Sequence, residues 1–247
     1  MAKPYSRRDF VALSVAGPLV GWLPWFRPKE LAVGEARFRI VRNHRSTRRY
    51  VLLDGDQDAV RQVLLAHMES QRGTAYLIEG AAREVAIGGG KLDPNRMFSR
   101  AGAEDSLRTL NPGWNDAQVA AALDLLDSQR EKLLDALIPP DRGLLIALGS
   151  GAGAPSATDA AATPEQRSLP QPGSPQAFYL CTDPADYRAL AASPYNVVLS
   201  RYVRARDDGS LARRAAARDV RFLHIEARPG DAAAQRDMLA WAEAHLR

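Results

Sequence analysis

Beyond residue 37, apolar positions along the chain follow two rhythms: short runs of four or five, and longer stretches where they recur every three or four residues. The runs at Phe38–Val41 and Tyr50–Leu53 predict strands, because such runs suit an extended chain buried on one or both faces. A helix is predicted from Asp56 to Gln71, with Val60, Val63, Leu64 and His67 on one face. Strands follow at Ala75–Ile78 and Glu84–Ile87, before glycines 88 to 90. From Asn115 to Leu137 the helical rhythm places Val119, Leu123, Leu126, Leu133 and Leu137 towards a core. Asn115 or Asp116 suits its cap, and Pro139-Pro140 closes it.

The run Leu144–Leu148 is apolar throughout, as in a parallel strand covered on both faces. From Gly149 to about Gln176 the chain turns to Gly, Ala, Pro, Ser and Thr. Such a segment buries too little apolar surface to offset the entropy of ordering it, which predicts a mobile loop. Its glycines at 149, 151 and 153 match a phosphate cradle poorly, since neither an immediate helix nor a Lys-Ser/Thr pair follows. Strands at Phe178–Cys181, Asn196–Ser200 and Val220–Ile225 and helices at Pro184–Ala192 and Asp231–Leu246 complete the pattern. Alternation of this kind predicts one α/β domain over residues 35–247, a three-layer sandwich around a mostly parallel central sheet.

Residues 1–34 carry a different signal. Ser6-Arg7-Arg8-Asp9-Phe10-Val11 precedes a mildly apolar stretch from Ala12 to Phe26, broken by Gly and Pro. This resembles a bacterial twin-arginine export signal. It implies passage through the inner membrane by the twin-arginine machinery, ending in a periplasmic or membrane-anchored protein. The stretch is short against the ~20 apolar residues that span a bilayer as a helix, and Ala32-Val33-Gly34 is the candidate cleavage region.

Composition narrows the function classes. The chain has 247 residues, 46% hydrophobic and 25% charged, with a formal net charge of +4, which fits a globular domain. No helix-turn-helix, zinc finger or aromatic stacking platform accompanies the basic balance, so a nucleic-acid partner is not expected. The lone Cys181 lies in an apolar run, excludes an internal disulfide and reads as a small buried hydrophobe.

The segment Leu92-Asp93-Pro94-Asn95-Arg96-Met97-Phe98 resembles the Asp-x-Asn-Arg-x-Phe signature of the zinc-carboxypeptidase superfamily, which includes aspartoacylase-like deacylases. The resemblance implies that Asn95 and Arg96 grip a ligand's carboxylate while Asp93 fixes the loop. A guanidinium suits this task because its planar fork matches a carboxylate bidentately. In that family a His-x-x-Glu follows an early strand and a third His ends a later one, together holding zinc. Here those positions fall on Asp54, Gln57 and Gly149. Glycine supplies no side-chain ligand and a glutamine amide binds zinc poorly. The family's zinc is therefore expected to be absent. The strand Phe222–Ala227 resembles the one delivering the general base, which places Glu226 there as a vestige.

These residues imply an exported, degenerate carboxypeptidase-like protein that binds a carboxylate-bearing ligand, such as a peptide terminus or an acyl-amino acid, without hydrolysing it. Two other classes compete. One is an active metallo-amidohydrolase acting on cell-wall or other peptides through other ligands, for which Asp54 and Asp56 with Glu226, or His224 with Glu226, are candidate donors. The other is a structural exported domain. There Asp93-Pro94-Asn95 is turn chemistry alone, since Asp and Asn bond their own backbone and Pro fixes φ.

Overall fold

A computed structural model describes residues 31–140, 142–150, 157, 166–200 and 207–246. Residues 1–30 of the expected export segment, and most of the expected mobile loop, lie outside the described residues; Leu31–Val33, which overlaps the candidate cleavage region, is a strand paired antiparallel with Ala36–Phe38. In chain order the elements are β1 (Leu31–Val33), β2 (Ala36–Asn43), β3 (Arg49–Leu52), α1 (Asp58–Ser70), β4 (Gly73–Ile78), β5 (Val85–Ile87) and β6 (Gly90–Leu92). A 3₁₀ turn at Pro94–Arg96, α2 (Arg100–Leu110), α3 (Asp116–Leu137), β7 (Leu144–Gly149), β8 (Gln166–Ser168) and β9 (Phe178–Cys181) follow. The chain ends with α4 (Pro184–Leu190), β10 (Asn196–Leu199), α5 (Leu211–Ala217), β11 (Arg221–Glu226) and α6 (Ala232–His245).

Nine strands form one mixed sheet in the order β1-β2-β4-β3-β7-β11-β9-β10-β8, and β5 and β6 form a separate hairpin. The centre, β4-β3-β7-β11, is parallel. The outer pairings β1–β2, β2–β4, β11–β9 and β10–β8 are antiparallel, whereas β9–β10 is parallel. Period-two alternation divides the central strands between two cores. Val51, Leu145, Ala147 and Phe222 face α2, α3 and α5, while Tyr50, Leu52, Ile146, Leu223 and Ile225 face α1 and α6. The result is the three-layer α/β arrangement, with helices on both faces of the sheet.

Local chemistry sets the helix ends. Asn115 and Gln118 form a reciprocal capping box at the start of α3, and Ser99 and Asp231 cap α2 and α6. Within the loop expected over Gly149–Gln176, Gly149 pairs with Glu226 at the end of β7, and residues 166–168 pair with β10. The Asn196 side chain donates to the carbonyls of Gln171 and Ser174, at 2.9 and 3.0 Å, tying down the following turn. A buried amide replaces the apolar anchors that this turn lacks. No helix among the described residues is long and apolar enough to cross a membrane.

Candidate functional site

After β3 the chain crosses through α1 to β4 on one side, and after β7 its next strands, β8 and β9, lie on the other. A crevice opens beyond the carboxyl ends of strands where their connections diverge in this way. A cavity of about 280 Å³ lies there, on the face covered by α5, with Val51, Ala147, Leu180 and Phe222 among its apolar lining. Asp54, Arg83, Asp93, Asn95, Arg96, Asp208, Ser210, His224 and Glu226 supply its polar side chains.

The loop bearing Asp93, Asn95 and Arg96 is held from several directions. The Asp93 carboxylate accepts the Asn95 backbone N–H at 2.9 Å, starting the 3₁₀ turn, while Ser106 Oγ accepts the Asp93 N–H at 3.0 Å. Buried Met97 and Phe98 anchor the loop in the core. Their carbonyls accept hydrogen bonds from Arg130 Nε at 2.9 Å and Arg214 Nε at 2.6 Å. Gly209, at φ +74°, packs against the loop so closely that a Cβ there would lie 2.2 Å from the Arg96 carbonyl oxygen.

The Asn95 side chain spends both amide hydrogens inside the protein, on Asp54 at 2.7 Å and Asp93 at 3.1 Å. It was expected to donate to a ligand; in the fold it bridges two carboxylates. Arg96 lies at the rim, half exposed, with Nη1 3.0 Å from the Asp208 carbonyl oxygen and 3.8 Å from its carboxylate. Burial raises the Asp54 carboxyl above its ordinary range, and the hydrogen bond from Asn95 and the charge of Arg83 only partly oppose this.

Gln57 heads α1 without capping it. Its amide instead donates to Asp54 at 2.8 Å and accepts the Ser150 N–H at 3.0 Å. Asp54, Gln57 and the end of β7 are therefore joined by hydrogen bonds. A Cβ on Gly149 would meet Glu226 Oε2 at 2.6 Å and His224 Nε2 at 3.1 Å. The space of a residue-149 side chain is filled by that pair, whose Nε2 and Oε2 lie 2.6 Å apart. Glu226 is buried at 3% exposure, while the His224 side chain keeps 31% of its surface open.

The donors present do not fit zinc. Position 149 has no side chain, the Gln57 amide is consumed at both ends, and the remaining carboxylates are hydrogen-bonded within the protein. Among the described residues no group of three or more His, Cys, Asp or Glu side chains is arranged to hold a metal ion. Asp56, offered at sequence level as a further donor, is exposed on the turn leading into α1.

Arg83 was not singled out by sequence reasoning. It follows β4 in a polar turn, with no periodicity to mark it. The backbone brings it in: Gly55 packs against this turn, and a Cβ there would lie 2.5 Å from the Ala82 carbonyl oxygen. Arg83 is half-buried and lines the cavity near Asp54. No hydrogen bond or ion pair joins it to another described residue. A second, larger hollow beside α4 and the start of β11 lies at the opposite end of the parallel strands. There Arg221 and Asp186 are bound to each other at 2.5 and 3.0 Å.

Comparison with models of protein families, with characterised proteins and with solved structures finds no match to this chain.

Proposed function

We propose that this protein is an exported binding protein of degenerate zinc-carboxypeptidase type, which holds a carboxylate-bearing ligand, a peptide terminus or acyl-amino acid, without hydrolysing it. Arg83 carries the reading. A half-buried guanidinium facing a cavity, near Asp54 but hydrogen-bonded to no described residue, retains its donors for an incoming anion. Arg96 at the rim adds a second cation, while Asn95 and Asp93 position the loop. The likeness to the family draws support from convergence: residues 54, 57, 93–96, 149 and 226, far apart in the chain, gather around one crevice. Without a fitting donor set, Glu226 has no metal-bound water to activate and serves as a partner of His224.

The test is calorimetric titration of the purified domain with N-acetyl-amino acids and short peptides. Arg83→Ala is expected to weaken the best ligand by about 1.5–3 kcal/mol, the worth of a charge-assisted hydrogen bond, and Arg96→Ala by less. A second reading, a structural domain, draws on the internal commitments of Asn95 and Arg96; a panel with no Arg83-sensitive ligand decides in its favour. Export is tested separately, by changing Arg7 and Arg8 to Lys and following loss of the protein from the periplasmic fraction.

A further inference from the structure

Resting on the carboxylate-binding reading, we infer that His224 is a specificity-determining residue that accepts a hydrogen bond from an N–H of the ligand, so that the ligand carries an amide beside its carboxylate. The argument begins with the imidazole's two nitrogens. Nε2 faces the buried Glu226 carboxylate at 2.6 Å, and a carboxylate without its proton only accepts. Nε2 therefore carries the hydrogen, and in the neutral ring Nδ1 is left as the acceptor. Among the described residues the His224 ring bonds only Glu226, through Nε2, and its Nδ1 bonds none. The ring lines the cavity with about a third of its side chain open.

Gly149 makes this arrangement possible. A side chain there would displace the Glu226 carboxylate first, since the two would come within 2.6 Å, and would release the tautomer that Glu226 sets. Two of the polar groups that line the cavity are thus of opposite kind and open to a ligand. Arg83 offers donors only, and His224 Nδ1 offers an acceptor. An amide N–H close to a carboxylate matches both, as in an acyl-amino acid or the last residue of a peptide. An ester in place of the amide keeps the shape and leaves Nδ1 unpaired, and a site built around an N–H discriminates strongly against an analogue that lacks it.

The experiment uses matched probes: the N-acetyl derivatives of L-alanine, L-leucine and L-phenylalanine, and the O-acetyl 2-hydroxy acids of the same side chains. Each is titrated into the wild type, Arg83→Ala and His224→Phe. In the wild type the amide is expected to bind at least about tenfold tighter than its ester, on the scale of one hydrogen bond. In His224→Phe the preference falls to about unity, and in Arg83→Ala both probes weaken together with the ratio kept. Equal binding of amide and ester by the wild type, with both still sensitive to Arg83, overturns the role of His224 and leaves the carboxylate reading standing. Binding of neither overturns both.

Discussion

Gly149 is the residue on which the crevice turns. Glycine in a strand interior marks close approach of another group, and here that group is a buried carboxylate paired with an imidazole. Gly149→Ala is expected to leave the fold intact, because the obstructing atom is the tip of a side chain and able to swing away. The cost is the His224–Glu226 contact, about 1–3 kcal/mol for a disturbed buried polar group. Thermal melting should show a modest loss, and titration with N-acetyl-amino acids should show the amide preference gone. Unchanged discrimination with alanine at 149 would detach Gly149 from the site. The family resemblance put Gly149 at a ligand position; what occupies its space depends on the β7–β11 register, which pairs Gly149 with Glu226.

At the scale of elements, a polar clamp joins α1, β3 and α6 on the face away from the crevice. Tyr50, fully buried on β3, donates its hydroxyl to Glu243 of α6 at 2.7 Å. Arg48 lies 3.3 Å from the same carboxylate, and His67 of α1 lies 3.6 Å from it. Burial alone would raise the Glu243 carboxyl, but the nearby His67 imidazole, the hydrogen bond from Tyr50 and the charge of Arg48 hold it below the usual range. A carboxyl so lowered stabilises the fold above its unfolded value, near ~4.3, and that contribution is lost as pH falls through the lower folded value. Tyr50→Phe is therefore expected to cost about 1.5–3 kcal/mol at pH 7, with the difference shrinking below about pH 4. Urea denaturation of both proteins at pH 7 and pH 3 measures it; a cost independent of pH would mean that packing, not the carboxylate, carries the loss.

His67 was expected to face a helix core, and its partner Glu243 shows why it sits there: it meets a carboxylate between two helices. Elements with strong periodicity, α1, α3, β3, β7 and β11, were legible within a few residues. Helix α2 was not, because its buried face is built from Gly102, Ala103, Ser106 and Leu107, too small and polar to give a rhythm. Helix α5, rich in Ala and Arg, hides for the same reason. The three layers followed from alternation of strand and helix, whereas the antiparallel β11–β9 pairing did not, since strand direction leaves no mark on composition. Loop residues 93–96 were recognisable as a motif. Arg83 was not, because its place depends on how closely Gly55 packs against the turn before it.

Across the whole molecule, the sheet separates two cores, and the crevice opens on one face only. Cys181, the single cysteine, lies on the other face, fully buried on β9 between β11 and β10. Burial pushes its thiol far up from the ordinary value, and only the thiolate attacks a disulfide reagent. A thiol probe therefore has to wait for that part of the sheet to come apart. If β9 opens only with the whole domain, the labelling rate will rise with denaturant along the slope of global unfolding. A shallower slope would identify β9 and β10 as a unit that parts from the sheet by itself. In either case the protein carries its own clock: one natural sulfur atom, requiring no engineered reporter, records how often the sheet beside the crevice lets in water on its opposite face.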